Sequence, residues 1–544
     1  MSLYNYKRRP TTEAKVGDTA IGGDNPIRLQ SMTNTSTNDT AASIAQIKRI
    51  AEAGADLVRL TTQGVKEAEN MATIASGIEA EGLNVPLVAD VHFNPAAAFK
   101  AAETCDKVRI NPGNFADPVH RFLHIDYTDE EYAAEVENIR KKLLPFIETC
   151  RRNKTAIRLG VNYGSLSDRI MSRYGDTPTG MVESLLEYLR VFKEEQFDDV
   201  VLSIKASNVY LMVETVRLLV RKLEEEDMHY PLHLGVTEAG NMDEGRIKSA
   251  AGIGTLLAEG IGDTIRVSLS EEPEAEIPVA RKLRDYITSR EGHEPVEVPA
   301  VNASYPIRST TNRIKGGEDA PWPLIEGYDF NLGEDAIYVD ASENPGEVNP
   351  NDENIPIVVS SSNANRPGAI ASWTERYVAA GGRNPIVIRL DYGDENEEDV
   401  MIKAAADFGA LLMGGYGNAI SLEAPALETA RRHEIALGIL QAVRLRFTKP
   451  DYIACPGCGR TLFNLQETLE SIKAATKELI GVKIGVMGCI VNGPGEMADA
   501  DYGYVGAGPG KVSLYRGQEL VKKSIPEGDA VKELLALIEG DRKN

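Results

Sequence analysis

The chain has 544 residues, of which 42% are hydrophobic and 26% are charged, and its formal net charge is −23. This composition is typical of ordinary soluble proteins with two to four domains, and the acidic balance argues against a nucleic-acid-binding protein. Apolar runs all fall short of the roughly eighteen residues that a membrane span requires, so we expect no membrane association. Five cysteines are too few for a disulfide framework, and the first residues carry no apolar targeting segment, which favours a cytoplasmic protein.

The first 292 residues alternate short strand-like runs with amphipathic helical stretches. The predicted strands are Ile27–Ser31, Asp56–Thr61, Pro86–Asp90, Lys107–Asn111, Ala156–Gly160, Val200–Lys205, Leu232–Val236 and Asp263–Ser268. Apolar residues at three- and four-residue spacing predict helices at Thr40–Ala53, Glu130–Arg151, Gly180–Glu195, Val209–Glu226 and Glu244–Glu259. Apolar strands that alternate with helices form a parallel sheet buried on both faces. Eight such units in about 250 residues predict a (β/α)8 TIM barrel in an α/β protein.

Basic residues collect where the predicted barrel strands end. The carboxyl ends of barrel strands surround one opening, which is the face where active sites lie. Five strands contribute a cation at this face: Arg59, Arg109, Arg158, Lys205 and Arg266. Pairing with a neighbouring carboxylate explains one such residue better than it explains five. The convergence therefore predicts a binding site for phosphate or diphosphate.

Other polar residues stand at the same strand ends. Asp90 and Glu238 are the carboxylates there, and we interpret them as candidates for hydroxyl binding or proton transfer. His92 is a candidate phosphate donor or proton donor, although an isolated histidine is more often structural. Uncharged polar side chains complete the set: Asn111, Asn162 and Ser268.

Residues 293–448 are predicted to form a separate α/β domain with a structural role. The segment follows a Pro- and Glu-rich linker, Glu291–Pro299, and it contains no cysteine. The strand and helix signals in it are Ile355–Ser360, Asn384–Leu390, Glu398–Phe408 and Leu427–Phe447. No set of polar residues converges there in the sequence pattern.

The tail, residues 449–544, is predicted to be a small α+β domain that folds over the barrel mouth. Cys455 and Cys458 form a CxxC turn, Cys489 follows, and Glu496 lies seven positions further on in a turn-rich segment. Three thiolates are one ligand short of a closed zinc site, whereas an iron–sulfur cluster leaves its fourth corner for a weak ligand such as this carboxylate. Spacing alone leaves a catalytic iron–sulfur centre, a structural zinc site, a redox dithiol and incidental thiols all open.

Six segments of the barrel and the tail resemble a known family. They are Arg158–Asn162, Lys205–Asn208, Gly235–Gly240, Gly262–Ser268, Cys455–Thr461 and Met487–Glu496. By these motifs the chain closely resembles the (E)-4-hydroxy-3-methylbut-2-enyl diphosphate synthase family. The insert after residue 293 and the longer Asp117–Arg152 stretch resemble the three-domain form of that family, which occurs in plants and some bacteria.

The resemblance implies an iron–sulfur oxidoreductase of the methylerythritol phosphate pathway of isoprenoid biosynthesis. The implied substrate is 2-C-methyl-D-erythritol 2,4-cyclodiphosphate, whose ring is opened and whose hydroxyl is removed with two electrons. The implied cofactor is a 4Fe–4S cluster on Cys455, Cys458 and Cys489, with Glu496 as its fourth ligand. The electrons would come from reduced ferredoxin or flavodoxin.

The resemblance also implies roles for the residues of the barrel mouth. The substrate diphosphate is expected among Arg59, His92, Arg109, Arg158, Lys205 and Arg266, with hydrogen bonds from Asn111, Asn162 and Ser268. We assign proton delivery to Glu238 and hydroxyl binding to Asp90. In the two-domain form, the tail of one subunit caps the barrel of its partner. The insert would let the tail reach its own barrel, so we expect that a monomer is active. A homodimer is the alternative.

Two other classes of protein fit parts of the pattern. One is a non-redox TIM-barrel lyase or isomerase of a phosphorylated substrate with a structural zinc tail, in which Lys205 would form a Schiff base. The other is a metal-bound scaffold, which would not need converging cations at a barrel mouth. The motifs favour the reductive enzyme over both.

Overall fold

The structure is a computed structural model that describes residues 3–117, 126–299, 314, 320–348, 352–490 and 493–543. The chain divides into two compact units. The first unit consists of Pro10–Gly245, Gly262–Ala280 and Lys449–Asn544, and the second of Met1–Arg9, Arg246–Ile261 and Arg281–Thr448. The tail therefore shares a unit with the barrel strands, and the division of the chain at 292 and 448 into three domains stays a prediction.

Eight parallel strands form a nearly closed barrel, which confirms the predicted fold class. A hairpin of β1 (Ala14–Val16) and β2 (Thr19–Ile21) precedes them. The barrel strands are β3 (Arg28–Met32), β4 (Leu57–Thr62), β5 (Leu87–Val91), β6 (Lys107–Ile110), β7 (Ala156–Asn162), β8 (Val200–Lys205), β9 (His233–Leu234) and β10 (Thr264–Ile265). Their order is β8-β7-β6-β5-β4-β3-β10-β9, and a parallel bridge between Leu202 and Leu232 joins the two ends.

Helices follow the barrel strands, as the alternating pattern predicts. They are α1 (Thr40–Glu52), α2 (Val65–Ala80), α3 (Pro95–Ala101), α4 (Pro112–Phe115), α5 (Asp129–Asn153), α6 (Asp168–Tyr174), α7 (Pro178–Glu194), α8 (Val209–Glu225), α9 (Met242–Ala258) and α10 (Glu276–Thr288), with a 3₁₀ helix at Pro273–Ala275. Side-chain caps fix several starts: Asp39 accepts a hydrogen bond from the amide of Ala42, and Asn208 accepts one from the amide of Leu211. All five predicted helices are confirmed, each within a few residues of its predicted bounds.

The amino-terminal end of the barrel is filled by apolar side chains. Ala14, Val16 and Ile21 of the hairpin pack against Leu57, Val88, Ala156 and Val201, which lie at or near the first residues of their strands. These contacts bury hydrocarbon that would otherwise face solvent and close this end of the barrel. A ligand site inside the barrel must therefore open at the other end, where the strands finish.

The second unit contains a five-stranded parallel sheet. Its strands are β11 (Leu324–Ile325), β12 (Ile337–Asp340), β13 (Ile357–Ser360), β14 (Ile386–Asp391) and β15 (Ala419–Glu423), in the order β11-β15-β14-β13-β12. Its helices are α11 (Arg366–Ala379), α12 (Glu397–Met413) and α13 (Thr429–Ala442), with a 3₁₀ helix at Pro345–Glu347. The predicted α/β character of this segment is confirmed.

The tail is a mixed sheet covered by helices. Its strands are β16 (Asp451–Ala454), β17 (Lys483–Met487), β18 (Tyr502–Gly508), β19 (Lys511–Arg516) and β20 (Glu519–Pro526), and its helices are α14 (Leu465–Thr476), α15 (Gly493–Glu496) and α16 (Glu527–Lys543). The strands from β16 to β18 are parallel, and those from β18 to β20 are antiparallel. Leu469 and Ile472 of α14 and Leu534 and Ile538 of α16 belong to the core of the tail. In the described part of the chain, we find no helix with the length and apolar character needed to cross a bilayer.

Candidate active site

The carboxyl ends of the barrel strands and the cysteine loops of the tail line one cavity. It encloses about 820 Å³ not filled by protein atoms, part of which is open to solvent. The predicted residues that line it are Arg59, Asp90, His92, Arg109, Arg158, Asn162, Lys205, Glu238, Arg266 and Ser268 from the barrel and Cys455, Cys458, Cys489 and Glu496 from the tail. The tail of this chain thus covers the mouth of its own barrel.

A backbone contact joins the first tail strand to the barrel loop after β9. The amide of Ala454 donates to the carbonyl of Glu238 at 3.2 Å, and Ala239 and Ala454 form a parallel bridge. The hydroxyl of Ser270 donates to the carbonyl of Cys455 at 3.0 Å. The loop that carries Glu238 and the strand that leads into the CxxC turn are therefore held together directly.

A second contact joins the loop after β7 to α15 of the tail. Gly164 has φ +76°, and a Cβ atom there would overlap the carbonyl of Gly495. Beside it, the amide nitrogen of Asn162 donates to Glu496 at 3.0 Å. Glycine at position 164 permits this approach, which places Glu496 at the barrel mouth.

The barrel cations surround one carboxylate. Asp90 lies 3.4 Å from Arg109, 3.8 Å from Arg158 and 4.0 Å from Arg59. Burial alone would raise the pKa of Asp90, but the guanidinium groups of Arg59 and Arg109 outweigh it and hold the pKa well below its usual range. Asp90 is thus an anion shared among cations, and hydroxyl binding by it stays a prediction.

The buried cations differ in whether a carboxylate compensates for the loss of solvent. Burial lowers the pKa of Arg59 to about 10 and lowers the pKa values of Arg158 and Lys205 well below their usual ranges. Arg266 is the exception, because Glu276 accepts two hydrogen bonds from it at 2.8 and 3.0 Å. An anionic ligand would relieve the mutual repulsion of the first three residues, whereas Arg266 already has its counterion.

His92 is neutral at physiological pH. Its ring contacts the guanidinium of Arg109, with 3.1 Å between Nη1 and Nδ1. Burial and the charge of Arg109 lower the pKa of His92 to about 3. An imidazolium role is therefore disfavoured, although a neutral imidazole still carries one N–H donor.

Asn111 is the one predicted site residue that does not line the cavity. Its side-chain oxygen accepts from the amide of Gly113 at 3.0 Å, capping α4, and its nitrogen donates to the hydroxyl of Ser165 at 3.0 Å. Both ends of the amide are thus engaged in loop structure. Its predicted hydrogen bond to substrate has no support from this geometry.

Two carboxyl groups, Glu238 and Glu496, lie side by side. Burial and the adjacent charge of Glu496 raise the pKa of Glu238 well above its usual range. One oxygen of Glu238 is buried with no hydrogen-bond partner among the described residues. The backbone of Glu238 has φ +50°, a conformation that residues other than glycine seldom adopt and that often marks functional sites. These features bring a carboxyl group with a raised pKa to the barrel mouth.

The three thiols fit an iron–sulfur cluster by their chemistry and their surroundings. The amide of Gly488 donates to the sulfur of Cys455 at 3.3 Å, the type of hydrogen bond that tunes cluster potentials. Burial raises the pKa of the Cys455 thiol, so a metal would have to displace its proton. Across the described ranges, no three His, Cys, Asp or Glu side chains converge closely enough to hold a single metal ion. A cluster is larger than an ion and would occupy the space between its ligands, which here line the shared cavity.

The cavity also contains residues that sequence reasoning did not select. They are Met32, Ser203, Thr237, Arg460 and Thr461. The sulfur of Met32 accepts from Arg59 at 3.0 Å, a contact with no sequence signal. Arg460 did have one, because it stands two positions after the second cysteine of the CxxC turn.

Comparisons with known proteins agree with this architecture. Residues 11–281 match the GcpE TIM-barrel domain, and residues 451–540 match the GcpE protein C-terminal domain. The chain is 50% identical to a protein of Bacteroides fragilis, with 99% of this chain and 97% of that protein covered. It is 48% identical to one of Parabacteroides distasonis, with 99% of each covered, and 46% identical to one of Porphyromonas gingivalis, with 100% of each covered. All three relatives are named 4-hydroxy-3-methylbut-2-en-1-yl diphosphate synthase (flavodoxin).

Proposed function

This chain belongs to the GcpE family, and from that premise we propose that it reductively opens 2-C-methyl-D-erythritol 2,4-cyclodiphosphate and removes a hydroxyl to form (E)-4-hydroxy-3-methylbut-2-enyl diphosphate. The product gives its name to the relatives described above. The observation that carries the proposal is the single cavity lined both by barrel cations and by three tail thiols. An anionic substrate and a redox group can meet only where such sites share one space.

The barrel cations supply the binding energy for the diphosphate. Arg59, Arg158 and Lys205 are buried beneath the tail, where charge–charge interactions are stronger than in water. Each of them is desolvated in advance, so little reorganisation is needed when the anion arrives. Arg266, paired with Glu276, contributes less net charge and serves to shape the site.

The tail residues supply the ligands for a 4Fe–4S cluster. Cys455, Cys458 and Cys489 would hold three corners of it, and Glu496 would hold the fourth. When bound, such a cluster supplies electrons one at a time to the substrate. Asn162 donates to Glu496 and steadies this carboxylate near the barrel mouth.

Glu238 delivers the proton that the reaction consumes. Two electrons and one proton enter, the carbon–oxygen bond of the ring breaks, and a hydroxyl leaves as water. Burial and the neighbouring Glu496 raise the pKa of Glu238, which favours its protonated form, and one of its carboxyl oxygens is buried with no hydrogen-bond partner among the described residues. A general acid needs this combination of a held proton and a position beside the leaving group.

The electron donor we propose is flavodoxin, which is printed in the names of the relatives. Ferredoxin is the alternative that the sequence leaves open. The enzyme is proposed to work in the cytoplasm, where such carriers are reduced. The competing lyase or isomerase with a zinc tail gives no reason for three thiols to line the substrate cavity.

Metal and turnover measurements on protein purified without oxygen test the proposal. We expect about four iron and four sulfide per chain and formation of the diphosphate product with reduced flavodoxin. Cys489→Ser should lose iron and turnover, whereas Cys105→Ser, at a buried thiol outside the cavity, should keep both. One zinc without sulfide, or no product from a fully loaded enzyme, would reject the function.

A further inference from the structure

Arg460 reaches from the tail into the substrate cavity. It follows the CxxC turn and lines the same cavity as Arg59, Asp90 and Arg109. Its exposed fraction is 8%, so a full guanidinium charge is buried at the boundary between tail and barrel. The other basic residues that line the cavity all come from the barrel.

The backbone around Arg460 is fixed by short contacts. A Cβ atom on Gly459 would lie 2.6 Å from the carbonyl oxygen of Thr35, which belongs to the barrel loop after β3. The amide of Thr461 donates to the carbonyl of Cys458 at 2.9 Å, and the hydroxyl of Thr461 accepts from the amide of Cys458 at 3.0 Å. The turn thus presses against the barrel, and Arg460 projects from a defined position rather than from a loose loop.

The charges around Arg460 come from both parts of the site. The side chain lines the cavity together with Cys458 and Cys489 of the tail and with Asp90 of the barrel. The charge of Arg460 also helps to lower the pKa values of His92 and Arg109. Arg460 therefore lies between the thiols and the cation cluster, close enough to both to interact electrostatically.

The guanidinium of Arg460 is incompletely satisfied. Its Nε is buried and has no hydrogen-bond partner among the described residues. Asp90, a barrel carboxylate that lines the same cavity, is already shared among Arg59, Arg109 and Arg158. A buried donor without a partner is costly, and the cavity is the space into which a partner can come.

We propose that Arg460 binds a phosphate oxygen of the cyclodiphosphate and thereby ties the tail to the occupied barrel mouth. The inference rests on the proposed function, and it adds a substrate contact contributed by the tail itself. An arginine offers two parallel N–H donors to a phosphate, while its charge also stabilises the adjacent thiolate sulfurs. Bound substrate then contacts the tail as well as the barrel, since this side chain projects from the tail.

Binding and hydrogen exchange on the oxidised holoenzyme test this role. The variants are Arg460→Gln and Arg460→Lys, with Arg516→Gln as the control, because Arg516 is a tail arginine paired with Asp541 on the surface. Calorimetric titration with the cyclodiphosphate, without reductant, measures affinity apart from turnover. We expect Arg460→Gln to raise Kd by about tenfold or more, the range of a charge-assisted hydrogen bond. Arg460→Lys should show an intermediate rise and Arg516→Gln a change below about twofold.

Hydrogen exchange separates a substrate contact from a structural role. In the unsubstituted chain and in Arg516→Gln, substrate should slow amide exchange in β16 and α14 of the tail, and in Arg460→Gln this protection should be lost at saturating substrate. Equal affinity and equal protection at full iron loading would overturn the inference. If Arg460→Gln loses iron, the result for Arg460→Lys decides, because lysine keeps the positive charge but lacks the two parallel N–H donors of the guanidinium group. An unchanged Kd for Arg460→Lys overturns the inference as well.

These outcomes are distinguishable from failure of the proposed function. If the unsubstituted holoenzyme neither binds nor converts the cyclodiphosphate, the function is rejected and the role of Arg460 falls with it. If it converts the substrate and the Arg460 variants bind it normally, only the inference is rejected.

Discussion

Glu238 combines a strained backbone, a buried carboxyl oxygen with no hydrogen-bond partner in the described part of the chain, and a neighbouring carboxylate, Glu496. Replacing it by glutamine keeps size and hydrogen-bonding capacity but removes the transferable proton. We expect Glu238→Gln to lower kcat by about a hundredfold or more, with iron content and substrate Kd unchanged. Single-turnover and steady-state rates measure the loss of kcat.

A surface variant controls for unspecific effects of the same exchange. Glu225→Gln, at an exposed residue of α8 paired with Lys222, should leave kcat unchanged. A normal rate in Glu238→Gln, or loss of its cluster, would refute the assignment of proton delivery.

Lys107 is fully buried inside the barrel, and its ammonium nitrogen has no hydrogen-bond partner among the described residues. Burial lowers its pKa well below the usual range, and Arg158 and Arg59 add to this, while Asp106 opposes it. Burial in the folded state therefore disfavours the protonated form of this lysine. We expect Lys107→Met to raise Tm and to add about 1–3 kcal/mol to the free energy of unfolding, because an apolar side chain suits this site better than an unpaired amine.

The sign of the pH dependence follows from the lowered pKa. Below about pH 10.4, the unfolded chain binds more protons at Lys107 than the folded chain does. The destabilisation of the folded state by Lys107 therefore becomes smaller as the pH rises. The gain in Tm from Lys107→Met should thus shrink between pH 7 and pH 9.5, and Lys222→Met on the surface should show no such trend. A gain that is independent of pH, or a loss of stability, would contradict this account.

Single residues of the site differ in how far the sequence predicts them. The positions of Arg59 and Lys205 can be predicted from the alternation of strands and helices, because the carboxyl ends of all barrel strands lie at the same face of the barrel. Asn111 satisfies the same rule, yet its amide caps α4, a detail of loop geometry that no strand pattern contains. Arg460 was missed since its place depends on the contact between two parts of the chain far apart in sequence.

At the scale of elements, the eight barrel strands were predictable because short strand-like runs alternate regularly with amphipathic helical stretches. Of helices α1 to α10, the sequence pattern did not predict α2, α3, α4, α6 and α10. In α2 the buried positions are Ala68, Met71, Ile74 and Ile78, a helical spacing whose first member is only an alanine. Gly503 and Gly506 lie inside β18, where the close packing of Met497 and Gly488 leaves no room for a side chain.

Gly164 tests how tightly the loop after β7 holds α15. Gly164→Ala would add a Cβ that overlaps the carbonyl of Gly495, in a backbone of φ +76°. We expect a displaced Glu496, faster amide exchange in α15 and at least tenfold lower activity.

Gly82→Ala is the matched control, because Gly82 has φ +75° with open space around it. It carries the same backbone strain, about 1–2 kcal/mol, without the contact to the tail. Equal activity and equal exchange in the two variants would show that the contact is unimportant.

For the molecule as a whole, the distribution of charge separates two tasks. The chain carries a net charge of −23, yet the barrel mouth concentrates buried cations such as Arg158 and Lys205. Anion binding therefore depends on a local pocket covered by the tail rather than on the general potential of the surface. This cover makes the origin of the tail, from the same chain or a partner, decisive for activity.

The barrel and the tail of one chain belong to the same compact unit. Hydrogen bonds join Ala454 to Glu238 and Asn162 to Glu496. Each chain should then work only if both its barrel and its own tail are intact. A mixture of Lys205→Ala chains and Cys489→Ser chains, reconstituted together, should show no more activity than the sum of the separate variants. Mixing the unsubstituted chain with the double variant, under the same conditions, controls for inactivation during mixing. Activity above the sum would mean that the tail of one chain caps the barrel of another, because only then does a pair of defective chains contain one complete site.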